Sequence, residues 1–359
     1  MQRWFVPGLS LAFFLLLAAE VSIRQAFLFL IGLGLGAALA GARFGFTTGW
    51  RDLVERRDPR GFAAQVLLLG LATGVALPLL ASFDELQAAL GPVSLSLVLG
   101  AFVFGASMQI ADGCGSGTLY KAGLGTPLNM AILPLFAFGS FLGATHLHHW
   151  LALGEIGPVA LAEQFGTSGA LLLSFALLIV LLALARLYVG AGKAWLGTRW
   201  LRGAALLAAL GALHLILAGQ PWGVVYGFGL WAAKLSQAAG GFDTASNPFW
   251  GLEGQQIRLE QSLLLDITSI TNIGILAGAC AVANLQASDS PPKPLSPTQW
   301  MIGLTAGFVM GYSARLAFGC NVGAMLSGIS TGSLHGWIWM LAAFPGTLLG
   351  IGLRRRFGF

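Results

Sequence analysis

The sequence predicts an all-α, polytopic integral membrane protein: a single membrane domain over residues 1–359, with two internal repeats and a broken or re-entrant helix in each. Three observations lead there. The 359 residues are 56% hydrophobic and 9% charged, whereas soluble domains carry about a quarter charged residues. Runs such as Phe62–Leu80, Gly169–Leu187, Gly203–Gly219 and Gly332–Leu353 approach the roughly 20 apolar residues that span a bilayer. Finally, one stretch is written twice. Gly105, Ser107, Ala111, Gly113, Cys114 and Gly117 recur as Gly311, Ser313, Ala317, Gly319, Cys320 and Gly323, shifted by 206 positions from Cys114 to Cys320.

Composition narrows the function classes. Glycine reaches 51 residues, and in lipid small residues let helices approach closely and permit broken helices beside a cavity. The net charge of +5 calls for no nucleic acid, because the basic residues cluster at segment ends, as in cytoplasmic loops. Three cysteines without a CxxC spacing suggest neither a disulfide framework nor a zinc site. No phosphate-binding glycine loop and no catalytic triad spacing is present. The cluster His146, His148 and His149 reads as a loop at the membrane surface, so no metal and no cofactor is expected.

Taken in order, Met1–Glu20 has the look of a signal peptide, but no small-x-small cleavage site follows. Residues 1–25 therefore read as an additional, uncleaved N-terminal helix. Repeat 1 spans residues 26–145. Within it, Ala26–Ala42 is apolar and runs into a basic loop carrying Arg51, Arg56, Arg57 and Arg60, cytoplasmic by the positive-inside tendency. Gly61–Leu80 returns, and Pro92–Ile110 leads to the first cysteine motif. From Ala111 to Gly125 the chain is too polar and glycine-rich to face lipid, and irregular backbone at membrane depth survives only against protein or water. Pro127–Thr145 closes the repeat with Gly139 and Gly143, a small-x₃-small face.

A connecting segment, residues 146–220, holds a polar link, the crossing Gly169–Leu187, a second basic cluster of Arg186, Lys193, Arg199 and Arg202, and the crossing Gly203–Gly219. Repeat 2 spans residues 221–353. Pro221–Leu235 loosely echoes the glycine-aromatic pattern near Gly45, and Ala238–Leu263 reads as a loop with some surface helix. Leu264–Leu285 crosses and carries Cys280, Ser288–Gln299 is a proline-rich extramembrane link, and Trp300–Leu316 delivers the second cysteine motif. Gly332–Leu353, with Gly346 and Gly350, ends at Arg354–Arg356. If every segment crosses fully, those three arginines fall on the outside, against the charge bias. At least one motif must be re-entrant.

The chemistry centres on thiols. A thiol is a weak donor and a soft acceptor, and behind a glycine turn it can meet a soft sulfur atom without a bulky neighbour. A lone cysteine on an apolar helix is ordinarily a packing residue, and Cys280 fits that description; it is also a candidate translocation residue, since it could approach the other two thiols in space. The repeated context sets Cys114 and Cys320 apart. Gly113 and Gly319 shape their turns, while Asp112, Lys121, Arg315 and Asn321 stand near them. Ionisable groups at membrane depth face a pathway or a partner. An anion would engage Lys121 or Arg315, although Asp112 and Lys121 also suit a snorkelling pair at the interface.

FGASMQIADGCGSGTLYKAGLG and MGYSARLAFGCNVGAMLSGISTGSLHGW resemble the two signature stretches of the YeeE/YedE sulfur-transport family, which includes bacterial thiosulfate uptake proteins. GARFGFTTGWRD, from Gly41, resembles that family's early motif, and the likeness runs from about Ala26 to the C-terminus. It implies a compact helical protein of the inner (plasma) membrane whose broken helices meet at a constriction lined by cysteines. It also implies a transporter rather than an enzyme, passing thiosulfate or a related small sulfur anion inward by transient S–H contacts. A small cytoplasmic sulfur-carrier protein is an implied partner. Cys114 and Cys320 match the family's central cysteines, and Lys121 falls where a basic residue is common. Thiosulfate-transporting members often carry a cysteine in the early motif where this chain has Gly45. A second reading stays open: a membrane thiol or persulfide carrier, or an oxidoreductase, in sulfur or selenium metabolism, whose cysteines change covalent state.

Overall fold

The computed structural model describes residues 2–286 and 294–359. Helix dominates because each backbone N–H and C=O in lipid must find its partner within its own segment. Helices α1 (Gln2–Glu20) and α2 (Ile23–Ala42) form a hairpin, and the Ser22 hydroxyl caps α2 by accepting from the Gln25 amide. After a break at Arg43 come α3 (Phe46–Arg56), α4 (Arg60–Ser82) and the short strand β1 (Pro92–Ser94). Next are α5 (Leu95–Ile110), α6 (Gly115–Gly123), α7 (Pro127–Thr145) and α8 (Leu147–Leu151). Strand β2 (Glu155–Pro158) pairs antiparallel with β1. Then follow α9 (Leu161–Val189), broken at Gly166, and α10 (Thr198–Ala218), α11 (Val225–Ala238), α12 (Glu253–Glu260) and α13 (Ile267–Leu285). The chain ends with α14 (Pro297–Leu316), a π-helix (Asn321–Leu326), α15 (Ser327–Ser330) and α16 (Leu334–Arg356). Among the described residues, nine helical stretches are long and apolar enough to cross a membrane, so the chain is a multi-pass membrane protein.

Two sequence expectations shift. The stretch around Arg51–Arg60 reads as a loop, yet Phe46–Arg56 is helix α3. Its Phe46, Thr47, Gly49, Trp50 and Leu53 are buried on one face, a helical stripe that the interspersed arginines and acids disguise. The expected link Ser288–Gln299 lies partly outside the described residues. Its last residues begin α14, where Ser296 and Gln299 close a reciprocal capping box.

Helix directions follow from which ends meet. Gln25 at the start of α2 donates to the Leu265 carbonyl just before α13, and Arg24 donates to Leu217 and Ala218 at the end of α10. These ends share one face. On the other, Arg51 pairs with Asp112 and Arg355 of α16 pairs with Glu55 of α3. The terminal arginines therefore sit beside the basic stretch at Arg51–Arg60. The sidedness count closes because α3, α6, α11 and the π-helix with α15 are too short to cross. We call this the basic face.

Four long-helix pairings build the core, each parallel: α2 on α13, α10 on α4, α5 on α16 and α14 on α7. Glycine makes three of them close. Helix α2 meets α13 through Gly36 and Gly278. A Cβ added at Gly350 would lie 2.8 Å from the Ala106 Cα, and one at Gly311 would lie 2.8 Å from the Phe136 carbonyl carbon. The backbones touch, as small-residue interfaces in lipid allow. That contact fixes where α5 and α14 end, and both end at the cysteine turns.

Candidate functional site

The two cysteine turns share one backbone design. After α5, the Ala111 amide donates to Ser107 O and the Gly113 amide to Met108 O, a six-to-one closure of the Schellman type. The Thr118 amide then donates to Cys114 O. The same three bonds recur as Ala317 to Ser313, Gly319 to Ala314 and Ala324 to Cys320. Asp112 (φ 55°) and Phe318 (φ 58°) both take the left-handed conformation. Asp tolerates it, but for a bulky Phe it is an outlier that stores strain, a feature concentrated at functional sites. Glycine must follow because the next helix starts directly above it. A Cβ on Gly113 would sit 2.8 Å from the Thr118 nitrogen, and one on Gly319 would sit 2.6 Å from the Ala324 nitrogen.

Each turn leaves its cysteine as the N-cap of a short helix, Cys114 before α6 and Cys320 before the π-helix. The two meet. A Cβ on Gly115 would lie 3.1 Å from Cys320 Sγ, so the first turn has room for the second thiol only because residue 115 is glycine. Both cysteines are buried, at 1% and 0% exposure. Cys114 Sγ lies 3.4 Å from Ser116 Oγ, and neither thiol closes a capping bond to its helix. Cys280 is placed elsewhere. Its backbone nitrogen lies against Gly123, at the far end of α6 from Cys114.

Around the turns, buried polar atoms stand without hydrogen-bond partners among the described residues. These are Thr47 Oγ1, Gln65 Oε1, Gln109 Oε1, Asn129 Oδ1 and both side-chain polar atoms of Asn321. Such atoms cost about 1–3 kcal/mol each when nothing satisfies them, and they are otherwise rare in native interiors.

Charge brackets the thiols. On the basic-face side, Asp112 is held by Lys121 Nζ at 2.6 Å, Arg51 at 2.8 Å and Arg354 at 3.4 Å. Lys121 also donates to the Asp112 carbonyl, and Arg354 to Gln109 O. Three cations share one carboxylate, so this rim is net positive. Nearby, between α3 and α4, Asp58 is held below the usual carboxylate range, chiefly by hydrogen bonds from the Arg60 side chain. On the opposite-face side lies Arg315. Its guanidinium stacks 4.9 Å from the Phe249 ring centre and 5.7 Å from that of Tyr226, and its Nε has no partner among the described residues. His146 and Trp150 both reach the Tyr312 hydroxyl. No group of three His, Cys, Asp or Glu side chains among the described residues is arranged to hold a metal.

Comparison with known proteins places this architecture. The model of the sulphur transport family matches residues 41–349. The chain belongs to that family. Its relatives in the family include the thiosulfate transporter TsuA of Spirochaeta thermophila, 25% identical over 326 residues, covering 86% of this chain and 92% of the relative. The thiosulfate transporter TsuA of Escherichia coli is 25% identical over 330 residues, covering 86% of this chain and 88% of the relative. The probable transporter YedE of Escherichia coli is 31% identical over 159 residues, 44% of this chain and 38% of the relative. Family and relatives make this chain a transporter and not an enzyme.

Within this family member, Gly45 caps α3, and a Cβ there would lie 3.7 Å from the Tyr120 hydroxyl of α6. In the sequence Asp112 and Asn321 stand out only as neighbours of the cysteines, Arg51 and Arg354 only as members of basic clusters, and Thr47 and Gln109 not at all. Arg51 and Arg354 carried one usable signal, as charges at the edges of apolar runs. The others carried none, since an orphaned amide or hydroxyl looks like any other in a sequence.

Proposed function

We propose that this protein takes up thiosulfate, or a related small sulfur-containing anion, across the inner membrane past Cys114 and Cys320. One observation carries the reading. Two buried thiols, each presented by the same left-handed turn on a different half of the chain, meet at the junction of two broken helices. The names of the relatives supply the substrate. Two inverted repeats underlie the path: α5 runs toward the basic face and α14 away from it, as do α2 and α10, while α4 and α13 likewise oppose one another. Broken helices at such a repeat interface suit a midplane substrate site. Arg315 attracts the anion on one side, Gly113 and Gly319 let it reach the thiols, and Lys121 with Arg51 and Arg354 receives it on the other. The basic face is cytoplasmic by charge bias and offers an acidic or thiol-bearing carrier protein a docking place. Cys280 lies beyond α6 on the way to that face.

The test is uptake of labelled thiosulfate by cells that lack their own importers. The parent is expected to accumulate label, and Cys114→Ala and Cys320→Ala to fall below about a tenth of it at equal protein level. A thiol–anion hydrogen bond to charge, at about 1.5–3 kcal/mol, sets that scale. Unaltered uptake in both variants removes the thiol path. Mass analysis of both cysteines during turnover separates hydrogen-bonded passage, in which the thiols stay intact, from the persulfide-carrier reading, which requires added mass.

The early-motif glycine gives a second expectation. Gly45 has φ −138°, ordinary extended backbone, and a Cβ there would meet side-chain atoms alone, Thr48 Oγ1 at 3.2 Å and the Tyr120 hydroxyl at 3.7 Å being the polar ones. Gly45→Cys should fold with an unchanged thermal midpoint and transport thiosulfate at least as fast as the parent. Loss of uptake in a folded Gly45→Cys protein would show that the Tyr120 side of the path tolerates no third thiol.

A further inference from the structure

We propose that Asn321 is the oxyanion-recognition residue of the constriction, selecting sulfur anions that carry oxygens over those that do not. The inference rests on the transport reading above and names the chemistry of its selectivity. Asn321 follows Cys320 directly and opens the π-helix, an irregularity frequent at functional sites. Its side chain is 0% exposed, and neither its nitrogen nor its oxygen has a partner among the described residues. Gln109 and Asn129 each donate from the amide nitrogen and leave only an oxygen free. Asn321 leaves both atoms free at membrane depth, a costly arrangement, and a passing oxyanion satisfies the Nδ2 donors by accepting from them.

The two turns are chemically unequal at this position. The residue that follows Cys114 is Gly115, and its missing side chain makes room for Cys320 Sγ. The constriction thus offers two thiols but a single carboxamide. Thiosulfate is unequal in the same way, with one soft terminal sulfur and three hard oxygens. Thiols match the sulfur end, and the Asn321 N–H donors match the oxygens. Hydrosulfide and polysulfide have no oxygen to accept from Asn321, so that amide discriminates against them by staying unpaired, the most effective form of selectivity.

The test uses the full-length protein in liposomes, with labelled thiosulfate as substrate and hydrosulfide as competitor. Asn321→Leu, of similar size and without polar atoms, is expected to raise KM for thiosulfate about 10–100-fold. The inhibition constant of hydrosulfide should stay unchanged. The same variant is expected to have a higher thermal midpoint without substrate, because it removes an unsatisfied buried amide. A merely structural asparagine predicts the reverse pattern. Asn321→Ser, which keeps a donor, should lose less affinity than Asn321→Leu. A lower thermal midpoint with unchanged KM, or equal loss of thiosulfate and hydrosulfide binding, overturns the inference and leaves the transport reading intact. A parent that moves no thiosulfate in liposomes overturns both.

Discussion

Gly346→Val is expected to yield no correctly folded protein, whereas Gly352→Val, six residues further along the same helix, should behave as the parent does. At Gly346 an added Cβ would run into the Phe102 carbonyl, with the carbonyl carbon at 2.8 Å and the Ala106 nitrogen at 3.2 Å. These are backbone atoms and cannot swing aside. The helices α5 and α16 would have to part along a seam that also includes Gly105 and Gly350, each equally tight against the opposing backbone. Overpacking a well-filled core typically costs 1–3 kcal/mol, and here a branched side chain meets main chain at a seam held chiefly by close packing. About 4 kcal/mol or more is expected, most of a typical total stability. Gly352 has nothing within 4 Å of its added Cβ. Size-exclusion profiles and thermal midpoints in detergent read the difference. A monodisperse Gly346→Val protein with the parent's midpoint would show that α5 and α16 are not locked at this crossing. Gly346→Ala brings the same Cβ and should already lower the thermal midpoint, and because α5 ends at the first cysteine turn it should disturb transport as well.

What the sequence revealed, and what it hid, divides along the range of the interactions. The crossings were legible because lipid imposes a length and an apolar composition on each one separately: Pro127–Thr145 was read to the residue it occupies. The likeness of the two cysteine turns was legible because glycine at 113 and 319 is a local steric demand, written wherever a helix starts directly over a left-handed turn. Helix α3 was not legible, since its arginines and acids interrupt an apolar stripe that only burial reveals. The partners of Asp112 were not legible either. Arg51 and Arg354 arrive from helices 61 and 242 positions away, and no local pattern records that meeting. Unsatisfied polar atoms are the extreme case. Whether Asn321 finds a hydrogen bond depends on every chain segment that passes it, so its isolation is a property of the packed molecule alone.

Removing the charge of Asp112 is expected to weaken the protein and to slow transport at once. Asp112→Asn keeps the size and the tolerance for φ 55° while leaving Arg51, Lys121 and Arg354 with no carboxylate. Their side chains are 14%, 18% and 18% exposed, and that of Asp112 is 29% exposed. The loss belongs between the 3–5 kcal/mol of a broken buried pair and the 0–1 kcal/mol of a surface pair, about 2–3 kcal/mol, readable as a lower thermal midpoint. Asp112→Ala should be worse by a further 1–2 kcal/mol or so, because alanine pays the steric cost of the left-handed turn. The transport effect has a different origin. A pathway must hold its ion strongly enough to admit it and weakly enough to release it. The parent rim carries three cations and one anion, and the variant carries three cations alone. At about 6 Å and an effective dielectric near 20, one unit charge changes the hold on an anion by about 3 kcal/mol. Thiosulfate should therefore bind more tightly at the rim and leave more slowly, so KM and kcat fall together, each by about tenfold or more. High salt should relieve the slowing, as screening weakens exposed charges first. A variant with a lower midpoint but unchanged KM and kcat would make Asp112 a structural clasp and route the anion away from Lys121. A fall in both constants that salt reverses would put the three cations on the exit path, with Asp112 setting how readily they let go.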